Sequence, residues 1–179
     1  MLNVQELKQK ACAIIEERKS EIIGLAKDIL DHPEAGFTET RTARLVAQKF
    51  GELGLQHREG LALTGVKARI QGGAGPGPRV ALLGELDSLL VSEHPHADSE
   101  TGAAHACGHH CQIGMMLGVA VGLMAAGVQE ELAGSVALMA LPAEEFIDVG
   151  FRYGLHKEGK LGFMSGKQEF IRLGIFDDV

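Results

Sequence analysis

Between Ile113 and Val128 the chain carries no charged side chain, and glycines recur at Gly114, Gly118 and Gly122. A stretch this apolar has to be buried. At about 16 residues it falls short of the roughly 20 needed to cross a bilayer. It therefore reads as a helix inside a protein core, its glycine row letting it pack close to a sheet. Two continuous apolar runs, Val80–Leu83 and Ser135–Leu141, supply candidates for that sheet. Runs of this kind are expected for strands covered on both faces.

The remaining elements fit around these three. Apolar residues at three-four spacing predict one helix over residues 3–30 (Val4, Leu7, Ala11, Ile14, Ile15, Ile22, Leu25, Ile29), ended by His32-Pro33-Glu34. A second helix is predicted from Glu39 to Leu53, with Thr38 as N-cap, Gly54 just past the end, and Ala43, Val46, Ala47, Phe50 and Leu53 as the buried face. Strands are predicted at Gly65–Gln71 and Arg79–Gly84. The glycine-rich Gly72–Pro78 between them lacks the Lys-Ser/Thr of a phosphate loop and reads as a flexible hairpin connection. A short helix is expected around Gly166–Leu173. Apolar strands alternating with helices predict a layered α/β fold over residues 1–179, read as one domain. Ligands in such sheets bind beyond the carboxyl ends of the strands.

Charge and composition narrow the partners. The formal net charge is −7, with no block of Lys or Arg to form a phosphate-binding patch. With no Trp and one Tyr, a base-stacking platform is not expected either. Neither nucleic acid nor membrane is an expected partner. Three cysteines and a polar, amphipathic start (Met1–Lys10) give no disulfide set and no secretory signal, which points to a reducing cytoplasmic setting.

In that setting, clustered Cys and His read as metal-binding or catalytic. Five of the eight histidines (His94, His96, His105, His109, His110) and two of the three cysteines (Cys107, Cys111) fall in one short window. Cys107 and His109, at the start of the apolar helix, can reach one metal ion. Glu85 and Asp87 follow one apolar strand, and Glu144 and Glu145 follow the other. One glutamate of the latter pair can be a ligand and its neighbour a base, since two unpaired buried carboxylates side by side would otherwise repel. Bland readings stand beside these. His94, His96, His32, His57 and His156 read as loop or surface histidines, Cys12 as a small packing residue, Cys111 as core, and Asp87 alone as a cap. A rival metal reading is a structural zinc site of Cys107, Cys111 and two histidines in a non-catalytic or assembly module.

Gly84-Glu-Leu-Asp-Ser-Leu89, His105-Ala-Cys-Gly-His-His110 and Pro142-Ala-Glu-Glu145, with His32-Pro-Glu-Ala-Gly-Phe37 before them, resemble in order and spacing the metal-dependent amidohydrolase branch of the aminoacylase and carboxypeptidase family. That branch includes hippurate, indole-acetyl-amino-acid and aminobenzoyl-glutamate hydrolases. The resemblance implies the N-terminal part of an α/β/α zinc-peptidase-like catalytic domain, without the family's lid or dimerisation domain. It implies hydrolysis of an amide in small N-acyl or N-aroyl amino acids. Two divalent metals, zinc or manganese, serve the full-length proteins; one or none is expected here. Cys107 would be the bridging thiolate, His109 and Glu145 ligands, Glu144 the general base, and Asp87 a further catalytic carboxylate. Glu85 stands where the wider family has a metal-binding histidine, and His110 where most of this branch has Asp. The histidine ligands expected beyond Val179 are not in this sequence. The isolated chain is therefore expected to be inactive or nearly so, and to pair with itself or with a complementary chain across an unfinished sheet edge.

Overall fold

A computed structural model describes residues 3–179. The first helix, α1 (Val4–Glu17), begins with a reciprocal cap: the Asn3 side chain accepts from the Glu6 amide at 3.0 Å, and the Glu6 carboxylate accepts from the Asn3 amide at 2.8 Å. The single helix expected over residues 3–30 is broken at Arg18 (φ −97°, ψ 13°), and α2 runs from Lys19 to Leu30. The reason is packing, since the bend lays both α1 and α2 along the apolar helix. In α3 (Thr40–Glu52) Ala43, Val46, Ala47 and Phe50 of the predicted face are buried, Leu53 is the partly buried C-cap, and Gly54 takes a positive φ (71°) just past the end. Its cap differs from the expectation. The Glu34 carboxylate, in the turn before the helix, accepts from the Arg41 and Thr42 amides at 2.9 and 2.8 Å, while the Thr38 hydroxyl donates to the Ala35 carbonyl.

Four strands make the main sheet: β1 (His57–Leu61), β2 (Gly65–Gln71), β3 (Arg79–Glu85) and, after a small β4–β5 hairpin (Leu89–Leu90 with Ala103–Ala104), β6 (Ser135–Leu141). Their order is β1-β2-β6-β3, with β6 antiparallel to β2 and parallel to β3. Gly72–Pro78 is therefore not a hairpin. It crosses the end of β6 and bonds to residues 129–134 there, the Gly72 amide donating to the Gly134 carbonyl and the Gly134 amide to the Gly75 carbonyl, each at 2.9 Å. A Cβ on Gly134 would lie 2.0 Å from the Pro78 carbonyl oxygen, so the crossing needs glycine there. Val80–Leu83 is not covered on both faces as expected, because β3 is an edge strand with Val80 53% exposed. Ser135–Leu141 is central and buried, as expected.

The apolar helix, α4 (His109–Ala125), lies with α3 on one face of the sheet. Its glycine row serves a different neighbour from the one predicted. Gly114, Gly118 and Gly122 face Ala26, Ile22 and Ile15 of α2 and α1, and the close approach to the sheet is made by Gly84 of β3, against Ile113. That face is two helices deep. The other face is covered by α6 (Gly166–Arg172), preceded in the chain by α5 (Val149–Lys157), and by the C-terminal turn. Phe170 and Ile175 pack there on Leu61 and Leu141, and Asp178 pairs with Lys67 and Arg69 of β2. The architecture is thus a sheet flanked by helices. Among the described residues no helix is long and apolar enough to cross a membrane.

Candidate metal centre

The parallel register of β3 and β6 builds the site. Glu85 is paired with Leu141, so Glu85-Leu86-Asp87 and Pro142-Ala143-Glu144-Glu145 leave the sheet side by side. Leu86 stays on the ladder, its amide donating to the Leu141 carbonyl at 2.8 Å. Gly108, at φ 92°, turns the chain into α4 and places His109 as the first helical residue with Cys107 just before it. The two strand ends and the helix start meet at the carboxyl edge of the sheet.

His109 is the hub. Its Nδ1 donates to the Asp87 carbonyl oxygen at 2.9 Å, with Asp87 Oδ1 3.3 Å away. That bond selects the tautomer which leaves Nε2 free for a metal. Nε2 lies 2.8 Å from Glu85 Oε2, 3.9 Å from Glu144 Oε2 and 4.0 Å from Glu145 Oε1. Two triads have donor atoms within 4.8 Å of one another: Cys107, His109 and Glu145, and Glu85, His109 and Glu144. Tetrahedral zinc with bonds of about 2.0–2.3 Å spaces its ligands about 3.3–3.8 Å apart, so small side-chain rotations bring the first triad onto one ion. The donor set of thiolate, imidazole and carboxylate suits such a metal.

The electrostatics agree. Burial works against a proton on His109, yet its hydrogen bonds with Asp87 and Cys107 outweigh it and hold the imidazole up to about 11. A pocket this rich in negative charge draws in a cation. A metal at Nε2 would supply that positive charge in place of the proton.

Each predicted site residue has a distinct setting. Asp87 is fully buried, and its Oδ2 accepts the Glu145 amide at 2.9 Å. Glu85 is held by His109, by Gln112 Nε2 at 3.0 Å and by Lys167. Glu144 is one-third exposed, with Lys167 Nζ 3.3 Å from its Oε1. Cys111 belongs to neither triad. It is exposed, with Sγ 3.2 Å from His110 Nε2. His105 is buried behind Cys107 with neither ring nitrogen partnered, and burial pushes it down to about 4, with the charges of His110 and His109 adding to the shift. The Cys/His structural site therefore does not assemble among the described residues.

Nothing in the linear sequence marks Lys167 or Gln112 as site residues. Gln112 follows His109 by three, a helical spacing that puts both on one side of α4. Lys167 stands at the start of the predicted short helix, and no linear pattern ties it to the strand ends. A cleft of about 660 Å³ lies away from this centre, lined by His57, Arg58, Lys67, Arg69 and Asp178 among others. Its Lys67 and Arg69 already pair with Asp178.

No family model matches the chain. Individual proteins do. An IAA-amino acid hydrolase of Arabidopsis thaliana is 32% identical over 171 residues, spanning 86% of this chain and 38% of that protein. An N-acyl-L-amino acid amidohydrolase of Geobacillus stearothermophilus is 28% identical over 178 residues, spanning 96% of this chain and 42% of that protein. Among solved structures, a dinuclear metal binding peptidase of the M20 family from Bacillus subtilis superposes with a TM-score of 0.71 at 26% identity, covering 92% of this chain and 42% of that one. The chain spans about two fifths of the length of these proteins. Motifs, fold and relatives agree that the chain belongs to the metal-dependent amidohydrolase branch of the aminoacylase and carboxypeptidase metallopeptidase family, and corresponds to the N-terminal portion of its members.

Proposed function

We propose that this chain carries the metal-binding half of a hydrolase that cleaves the amide bond of N-acyl or N-aroyl amino acids. The observation that supports this most is the convergence of Cys107, His109 and Glu145 on one point, with Glu144 beside it. Zinc or manganese held there would supply Lewis acidity to a water and to the scissile carbonyl. Asp87 fixes the His109 ring and the Glu145 amide. Glu144, the most exposed carboxylate at the centre, takes the proton from water and returns it to the leaving amine. Lys167 bonds one Glu144 oxygen and leaves the other facing His109.

Three protein donors are fewer than two metals need. Little hydrolysis by the chain alone is the expected result. The exposed β3 edge, with Val80 and Leu83 beside it, supports pairing with a second copy or with a complementary chain. The proposed setting is the cytoplasm, where the Cys107 thiol stays reduced.

The test is to load the purified chain with zinc or manganese and assay N-acetyl and N-benzoyl amino acids. Metal uptake that depends on Glu145, with turnover near background, is expected. Absence of Glu145-dependent uptake would remove the proposal. Rapid metal-dependent turnover would keep it and refute the need for further ligands.

A further inference from the structure

The loop that carries Glu144 and Glu145 is held in an unfavourable conformation. Ala143 is fully buried and has φ +48°, in the left-handed region that a residue with a Cβ rarely adopts. Something has to hold it there, and three side chains do. Glu39 Oε1 accepts the Ala143 amide at 2.7 Å, and Asp87 Oδ2 accepts the Glu145 amide at 2.9 Å. The third is Arg152, from α5, in a stretch whose sequence suggested no role.

Arg152 is 1% exposed. Its guanidinium donates to the Glu145 carbonyl, to the Met164 carbonyl at 3.0 Å and, more weakly, to the Ala143 carbonyl at 3.4 Å. The Phe37 and Phe146 rings lie 5.4 and 5.7 Å from it, within cation–π range. Gly36 makes room, since a Cβ there would come within 2.4 Å of the guanidinium and 2.9 Å of Ala143. A buried arginine is ordinarily matched by a bidentate carboxylate. Among the described residues no carboxylate pairs with it, and its hydrogen bonds go to backbone carbonyls, two of them on either side of Glu144.

Resting on the proposed function, we infer that Arg152 is a positioning residue for the metal centre. It fixes the carbonyls of Ala143 and Glu145, and thereby sets the directions in which the Glu144 and Glu145 carboxylates leave the chain. It touches neither metal nor substrate. Lysine cannot replace it, because one ammonium cannot span the three carbonyls that the planar fork reaches.

Two readouts test this on the whole chain. In Arg152→Lys, amide exchange should quicken at Ala143 and Glu145 while the β6 amides stay protected. Unchanged protection at Glu145 would overturn the inference whatever the metal does. Cobalt titration then asks whether the positioning matters. Arg152→Lys should weaken binding about 10- to 100-fold, the usual cost of losing a group that orients a ligand, and should keep the thiolate-to-cobalt absorption of Cys107. Glu145→Ala should weaken binding at least as much, and adding Arg152→Lys to it should cost nothing further. Full additivity in that double variant would mean that Arg152 acts on general stability and would also overturn the inference. Failure of the wild-type chain to bind cobalt through Glu145 would refute the proposed function, while the exchange result would still stand or fall by itself.

Discussion

Two acidic pairs end two neighbouring parallel strands, and they are used differently. At the end of β3, both members are pinned. Asp87 is sealed under His109 and Glu145, and Glu85 is held by Gln112 and Lys167 beside the His109 ring. At the end of β6, the backbone is pinned instead, by Glu39, Asp87 and Arg152, and the side chains of Glu144 and Glu145 project into the site. A carboxylate held by protein donors, or walled in as Asp87 is, can orient others but has little left for a metal or a proton. One whose backbone is fixed and which keeps an oxygen open to the site, as Glu144 does beside Lys167, can do either. The β3 pair therefore reads as the support and the β6 pair as the working groups.

The largest test of that division is Glu145→Ala against Glu144→Ala. Glu145→Ala should lower zinc affinity more than about 100-fold, beyond the cost of losing an orienting group, and Glu144→Ala should leave it nearly unchanged by calorimetry. Equal losses would erase the distinction within the β6 pair.

Next comes the support under β6. Burial raises Glu39 from its ordinary 4.5 to about 7, against the hydrogen bonds from Thr64 and Ala143 that lower it. The folded chain thus holds this proton more tightly than the unfolded one. Its contribution is complete below pH 4.5 and is lost as pH rises through 7. Glu39→Gln removes the titration and keeps an acceptor for the Ala143 amide, with the Thr64 hydroxyl turning to meet the new amide. Urea unfolding should show wild type losing about 2 kcal/mol relative to the variant between pH 5 and pH 7. A constant difference would show that Glu39 is not buried as described.

Asp87→Asn keeps an oxygen for the Glu145 amide but removes the charge beside His109. Zinc affinity should fall about 10-fold, the low end for an orienting partner. Glu85→Gln should have the smallest effect, within a few-fold, since Gln retains polar contacts to Gln112 and Lys167. A loss at Glu85 larger than at Asp87 would make Glu85 a ligand and redraw the comparison.

Much of this arrangement is legible in the chain because burial leaves few choices. Polar residues placed directly after apolar strands must sit at the sheet's rim, so the sequence alone brings Glu85, Asp87, Glu144 and Glu145 to one place. The same reasoning finds β6, α3 and α4. It fails where the signal is not periodic. The edge strand β1 has the sequence His-Arg-Glu-Gly-Leu, with no alternation to betray it. The bend at Arg18 and the course of Gly72–Pro78 depend on what they pack against, the helix α4 and the end of β6. Lys167 and Arg152 reach the centre only through tertiary placement of α6 and α5, and a lone basic residue in a mixed stretch looks like a solvated charge.

The proposed function needs Cys107, His109 and Glu145 to share one metal. Anomalous diffraction at the zinc edge from crystals of the zinc-loaded chain tests it most directly. The expected result is a peak bonded to Cys107 Sγ, His109 Nε2 and a Glu145 oxygen, at about 2.0–2.3 Å from each. A peak held by Cys107 with Cys111 and the His105–His110 pair, leaving Glu145 unbound, would contradict it.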